Sequence, residues 1–323
     1  MEIFKTDRIY NFMGRRLPFL GLSSILFIAS IVILFTKGLN FGIDFAGGTI
    51  IQVKYEKQAP ISDIRTVLKT KPEYANAIIS EFGSKEEVVI RLSGTSSDLS
   101  TDISDKIHNV LASTGNFEVR RVDIVGPKVG GELREKGVMA LGLAIIIILI
   151  YVSFRFEWRF AIASILALIH DITIAMGALS LFSIEVNLDI LAAILTLLGY
   201  SLNDTIIVFD RIREGIQTSK ETLLDTIVNE SVSKTLSRTT LTSLTTFFVV
   251  VTLFAFGGEI IHGFAFTLLV GIIVGTYSSI FIAASFLVQL KFSITDFRSK
   301  EAEKLKRQKE KEKIRAMYEK GTV

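Results

Sequence analysis

The chain contains no cysteine, which excludes a disulfide framework and any thiolate metal site. It has three histidines, and no cluster of histidines with carboxylates, no glycine-rich phosphate loop and no nucleophile constellation stands out. Nothing therefore supports an enzyme, and no cofactor or metal is expected. The basic residues are not interleaved with aromatic ones as base stacking requires, so nucleic acid is not an expected partner. The six long apolar runs show no internal duplication, which leaves any pseudo-twofold mate to another chain.

What the chain has is long apolar runs. It is 49% hydrophobic with a mean hydropathy of +0.47, and six runs reach bilayer length: 17–35, 138–154, 160–184, 188–209, 238–256 and 260–290. A span needs about 20 mostly apolar residues. The fold class expected is a polytopic α-helical membrane protein with six transmembrane helices. The first run ends in FTKGLN without a small-residue cleavage site and reads as an uncleaved anchor.

Charge sets the orientation. Net charge is only +3, but residues 1–16, 155–159, 210–238 and 291–323 carry 22 of the 36 Lys and Arg residues. The short turns at 185–187 and 257–259 carry none. Cytoplasmic loops are enriched in Lys and Arg, so both termini are expected inside. The expected organisation is a cytoplasmic N-terminus 1–16, transmembrane helix 1 at 17–36, a periplasmic domain 37–136 and helices 2 to 6 within 137–290. A cytoplasmic loop at 210–237 and a charged cytoplasmic tail 291–323 complete it.

The outer segment alternates. TIIQVKYE at 49–56 reads as a strand, 60–69 as a helix, 75–82 and 88–92 as strands with a turn at Gly83-Ser84, 98–111 as a helix and 117–125 as a strand. That order is βαββαβ, an α+β ferredoxin-like unit between helices 1 and 2. His108 stands alone on a surface-type helix and reads as solvated. Glycine clusters at 38–49 and 125–133 bracket the unit. They read as tight turns, as a hinge set for the outer domain, or as both; the residues concerned are Gly42, Asp44, Gly47, Gly48, Gly126 and Gly130.

The apolar run around 191–213 carries Asn203 and Asp204 inside the span. An ionised residue there costs about 2.5 kcal/mol or more, needs a partner, and marks a functional site by default. Arg238 opens another apolar run 34 residues on, within SRTTLTSLTT. The pair reads as an intramembrane carboxylate with a fixed counter-charge, since arginine does not deprotonate. Desolvation favours the acid form of such a carboxylate and a nearby guanidinium favours the anion. A contact that forms and breaks can therefore load and release a proton. The bland reading is a static ion pair joining two helices. Tyr200, Ser201 and Asn203 are expected around Asp204, and Thr235, Thr242 and Thr245 around Arg238. Asp171, preceded by His170, is a second candidate, as a proton relay or as interhelical packing. Glu185 and Asp189 read as solvated at the outer interface. Residues 218–221 resemble a capping box opening a short amphipathic helix on the membrane surface. The tail, with 11 basic and 6 acidic residues, reads as an exposed, partly helical segment near anionic lipid.

Several motifs resemble one family. FGIDFAGGT at 41–49, VGPKVGGEL at 125–133, WRFAIASILALIHD at 158–171, GYSLNDTIIVFDRIRE at 199–214, LSRTTLTSLTT at 236–246 and GTYSSIFIA at 275–283 are similar to the SecD/SecF family of the bacterial protein-export machinery, and the ND and SRT forms to its SecF branch. Ala46 departs from a position where the family often has a small hydroxyl residue. The resemblance implies a member of the resistance-nodulation-division superfamily in the bacterial inner membrane. It implies pairing with SecD beside the SecYEG channel, YajC and YidC as further partners, and use of the proton-motive force in late translocation of a preprotein, among membrane lipids. It also implies proton conduction at Asp204 and Arg238. The alternative is half of a proton-driven small-molecule or lipid exporter of the same superfamily; the outer segment shows no aromatic drug pocket.

The charge count gives a direct test. A cysteine at Ser97 is expected to react with a membrane-impermeant reagent from the outer side and one at Ser299 to be protected; the reverse pattern overturns the topology.

Overall fold

The computed structural model describes residues 8–75, 77–93, 103–290 and 292–319. Residues 98–102, where a helix start was expected, and the test position Ser97 lie outside the described residues.

Among the described residues six helices are long and apolar enough to cross a membrane, and a small sheet unit stands between the first two. Helix α1 is Arg16–Thr36, α5 Pro127–Arg155, α6 Trp158–Leu181, α7 Leu188–Thr218 and α8 Leu224–Phe256. The last span, Ile260–Gln289, is made of α9 (Gly258–Ser278), a π-helical turn Ser279–Ala283 and α10 (Ala284–Gln289). The short helix α2 (Ile43–Ala46) precedes the sheet unit, and the tail forms α11 (Ile294–Glu319).

In the sheet unit, β2 (Gly48–Tyr55), β3 (Ile78–Phe82), β4 (Ser84–Ser93) and β5 (Phe117–Val125) lie in the order β3-β4-β2-β5, every pair antiparallel. Alternation selects the core. Ile51, Val53 and Tyr55 of β2 and Val88, Ile90 and Leu92 of β4 face Ile64 and Leu68 of α3 (Ile61–Lys69) and Ile107 and Leu111 of α4 (Ile103–Leu111). The strand expected from residue 75 begins only at Ile78. Pro72 opens a 3-10 turn, Pro72–Tyr74, that buries Tyr74 first. His108 is exposed, with its ring 5.2 Å from that of Phe117.

Three further expectations change. The second glycine cluster is not a turn: α5 starts at Pro127, where a missing N–H costs a helix nothing, so Gly130 and Gly131 are helical. The separate surface helix does not form, because residues 224–237 are the first turns of the single 33-residue α8. Their apolar face, Ile227, Val228 and Val232, is buried in the same core as Ile212 and Ile216 of α7. The Ser231 hydroxyl donates to the Arg211 carbonyl (3.1 Å). Glu185 is not simply solvated. It accepts from Arg91 of β4 at 3.1 Å, and its strand β6 (Glu185–Val186) pairs in parallel with β1 (Asn40–Phe41). These contacts tie the sheet unit to the α6–α7 turn.

At the opposite end, which holds both described termini, ion pairs gather: Arg16–Asp225 (3.2 Å), Arg155–Asp210 (2.8 Å), Arg213–Glu301 (3.6 Å) and Lys300–Glu157 (3.8 Å). Arg298 of α11 donates to the carbonyls of Ile216 (2.8 Å) and Ser219 (2.7 Å). A cation at a helix C-terminus satisfies orphan carbonyls and the helix dipole. The tail is thus fastened to the end of α7 before it runs out into solvent.

Burial of Tyr55 pushes its phenol pKa up, partly offset by its hydrogen bond to Thr114 (2.7 Å). The neutral phenol is the form the fold favours. Its stabilisation is complete below about pH 10 and is lost as pH rises through the higher folded value. Tyr55→Phe is expected to cost about 1 kcal/mol at neutral pH and to abolish this alkaline sensitivity, read by hydrogen exchange of the sheet in the full chain.

Candidate functional site

Two buried carboxylates flank one turn of α7. Asp204, on α7, is 1% exposed. Its Oδ2 accepts from the Ser243 hydroxyl of α8 at 3.2 Å, and Ser243 accepts in turn from Thr276 of α9 at 2.8 Å. Its Oδ1 has no hydrogen-bond partner, and neither does the buried hydroxyl of Thr239, one turn from Ser243. Asp171, on α6, is fully buried. Its Oδ1 lies 2.8 Å from His170 Nδ1, its Oδ2 accepts from Ser201 of α7 at 2.5 Å, and His170 Nε2 lies 2.5 Å from the Ser23 hydroxyl of α1. Ser201 and Asp204 share the same turn of α7, so both networks attach there.

Helical phase decides which α8 residues reach Asp204. From Thr235 on, the buried positions are Thr235, Thr239, Ser243 and Val250, spaced by four and seven, as a packed stripe requires. Arg238 is one residue off that stripe and is exposed. The expected Asp204–Arg238 ion pair is therefore not made in this structure; among the described residues the two side chains share no ion pair. Arg238 instead lines a polar cleft at the termini end with Asp210, Arg211, Glu214 and Lys234. It lies five residues from Ser243, about 7.5 Å along the axis at 1.5 Å per residue. On the sheet side of Asp204 the packing is apolar: Tyr200, Phe247, Val250 and Leu253 form one cluster with Ala265 and Ile272.

The other expected neighbours divide. Tyr200 is in that cluster with its hydroxyl buried and unpartnered. Asn203 is exposed. Thr235, Thr242 and Thr245 donate to carbonyls of their own helix, the usual fate of a mid-helix threonine. Sequence reasoning missed Ser23, Thr239, Ser243 and Thr276. The signal for Thr239 and Ser243 was there, as hydroxyls on the buried phase of α8; for Ser23 and Thr276 there was none.

The two glycine clusters meet. A Cβ on Gly130 would stand 2.9 Å from the Gly47 nitrogen, and one on Gly47, which has φ +75°, 2.7 Å from Pro127 Cα. Asp44 accepts from Leu188 N at 3.0 Å and Asn187 from Ile190 N at 3.0 Å, so two side chains cap the N-terminus of α7. Gly42 donates its N–H to Val186 O (2.9 Å). Gly48 continues the tight passage into β2, and Gly126 is the N-cap of α5. The glycine signatures thus form one joint at the top of the helix that carries Asp204.

The profile described as "Protein export membrane protein SecD/SecF, C-terminal" matches residues 106–293, and that of the SecD/SecF GG motif matches residues 32–59. The chain belongs to the SecD/SecF family. A protein translocase subunit SecF from Helicobacter pylori (strain 26695) is 46% identical over 323 residues, covering all of both chains. One from Escherichia coli O157:H7 is 40% identical, covering 88% of each. The crystal structure of SecDF from Thermus thermophilus, described as a translocon-associated membrane protein, overlays with a TM-score of 0.80 at 36% identity. It matches 90% of this chain, which spans 40% of the SecDF chain's length. SecDF in a super-membrane-facing form overlays with a TM-score of 0.68 at the same identity, over 92% of this chain and 40% of the other. The chain is a multi-pass membrane protein of this family.

The glycine joint generates a paired test. Gly130→Ala has no room and is expected to cost about 1–3 kcal/mol. Gly131→Ala meets nothing within 4 Å and is expected to be neutral or to stabilise α5 by up to about 1 kcal/mol. Thermal unfolding of the solubilised chain separates them.

Proposed function

We propose that this chain is the SecF-type subunit of a SecDF translocase in the bacterial inner membrane, and that protons passing through Asp204 drive late-stage movement of a preprotein at the SecYEG channel. Both termini are cytoplasmic and the sheet unit, a ferredoxin-like split βαβ, is periplasmic in this reading. The cluster of Lys and Arg at the termini end supports that orientation, and the antiparallel order β3-β4-β2-β5 supports the fold of the outer unit. A SecD-type chain supplies the missing half of a twelve-span bundle and covers the exposed apolar face of α8, which includes Leu241, Phe248 and Val249. YajC and YidC are further partners on this reading, and the reaction is transport without covalent chemistry on the preprotein.

The observation that carries the proposal is the position of Asp204. It is a buried carboxylate with one oxygen unbound, between a polar cleft on the cytoplasmic side and an apolar cluster on the periplasmic side. A proton enters or leaves on one side only while that cluster is closed. Arg238, at the cleft, is the counter-charge that an ionised Asp204 meets if α8 shifts. Asp44 on the α7 N-terminus and the glycine joint carry such a shift to the periplasmic unit. The poorer overlay on the super-membrane-facing SecDF is in keeping with a unit that changes its tilt.

One elementary charge crossing the membrane is worth about 2.3 kcal/mol per 100 mV, enough to bias a two-state unit about 50-fold. Asp204→Asn keeps the shape and cannot ionise. Export of a reporter into membrane vesicles, with ATP-driven translocation held constant, is expected to fall to the level seen without a proton gradient while expression and SecD pairing persist. Arg238→Met is expected to lose most of the same increment. A gradient-dependent increment retained by Asp204→Asn at normal protein level would refute the mechanism.

A further inference from the structure

We infer that His170 and Asp171 form a second proton-binding site, one that grips α1 through Ser23 and sets how firmly that helix is docked. The inference goes beyond the proton route at Asp204 and stands on a separate set of contacts.

Helix α1 buries little of itself. Its buried side chains are Ser23 and Ser30, and both meet α6 at the same offset. Ser23 touches His170, and Ser30 fills the space where a side chain on Gly177 would stand. The two helices therefore run parallel with a seven-residue repeat and close backbones. Contact between the two segments continues beyond the span, in a register shifted by two to four residues. Lys37 donates to Leu181 O at 2.7 Å, Asn40 to Ser183 O at 3.1 Å, and β1 pairs with β6. Whatever moves α1 against α6 therefore moves the strand that leads into the sheet unit. Within the span, the ionisable side chains that α1 touches among the described residues include His170 and Tyr277, both beside Ser23.

The surroundings of the pair are nearly free of other charge. His170 faces the Phe27 ring (6.1 Å) and Ser23 on α1; Asp171 faces Ser201 on α7. Tyr277 from the end of α9 donates to Phe19 O at 2.6 Å. Among the described residues no lysine, arginine or glutamate bonds to either group. With Nδ1 protonated, His170 donates to Asp171 Oδ1, Ser201 donates to Oδ2 and Ser23 donates to Nε2. Every group is satisfied, and the pair carries one negative charge. One proton added at Nε2 makes the pair net neutral. Nε2–H then donates to Ser23, whose own hydrogen turns to the Tyr277 hydroxyl oxygen beside it, while Tyr277 keeps its hydrogen on Phe19 O. The Ser23 contact becomes charge-assisted, and such bonds are about twice as strong as neutral ones. Proton loading tightens α1 on α6, and release loosens it. Because Ser201 is also on the turn of Asp204, the two proton sites share one segment of α7.

The absence of cysteine makes the test clean. Thr36→Cys and Phe182→Cys place spin labels at the exposed ends of α1 and α6 in the full chain, assembled with a cysteine-free SecD-type partner. Label distances and the imidazole nitrogen spectrum are followed between about pH 8 and pH 5.5, the range in which histidine changes charge; His170→Gln assigns the signal. The expected result is uptake of a proton by His170 and a distance distribution at least twofold narrower at the lower pH. Ser23→Ala should keep the titration and lose the narrowing, and Ser23→Thr should restore it. Asp204→Asn should leave both intact even where it abolishes gradient-dependent export, which separates this site from the first. No titration of His170, a distribution indifferent to pH, or a Ser23→Ala response equal to the parent's would overturn the inference. So would loss of the response in Asp204→Asn.

Discussion

A carboxylate inside a membrane has to be neutral, hydrogen-bonded or reached by water, because hydrocarbon offers it nothing. Asp204 meets that demand only in part. Ser243 serves one of its oxygens, and the other is unbound in a wall that also contains the unpartnered Thr239 hydroxyl. Most buried polar atoms in proteins are satisfied, and those that are not tend to mark places where water or a proton comes and goes. The rest of the bundle reads as what keeps this one site closed toward the sheet side and approachable from the other.

Helix α7 is where the parts join. Its N-terminus is capped by Asp44 and Asn187, its middle carries Ser201 and Asp204, and its C-terminal carbonyls are held by Arg298 of the tail. The glycine-rich segments before and after the sheet unit interlock above it, where Gly130 stands against Gly47 with no space for a Cβ. A packed joint of this kind passes on displacement of a helix end better than a loose linker does, since close-packed interiors transmit strain. The sheet unit is therefore geared to α7 through Asp44 and to α1 and α6 through the β1–β6 pairing.

The sequence made the spans legible, because apolar length and the Lys and Arg bias are properties of composition. It also made the alternation of β2 and β5 legible, since half-buried strands repeat every second residue. It placed the glycine clusters at the right junctions but not in the right conformation: nothing in VGPKVGGEL says that Pro127 starts a helix that swallows both glycines. The pairing of Asp204 with Arg238 was inferred from their both lying in spans. Phase was the missing information. Arg238 falls beside the stripe that runs through Thr239 and Ser243, so the hydroxyl reaches the carboxylate and the guanidinium does not. The Ser23–His170 contact joins residues 147 apart, and no single-chain pattern encodes such a distance.

The chain belongs to the SecD/SecF family; the distinctive claim of the proposal is that Asp204 exchanges its proton with the termini side, cytoplasmic on that reading, in the arrangement seen here. Infrared difference spectroscopy of the complex in oriented vesicles tests it most directly. A protonated-carboxyl band that vanishes in Asp204→Asn and follows the pH on the cytoplasmic face, with no response to the periplasmic pH at rest, is the predicted result. A band that follows the periplasmic pH, or no band that titrates at all, would contradict it.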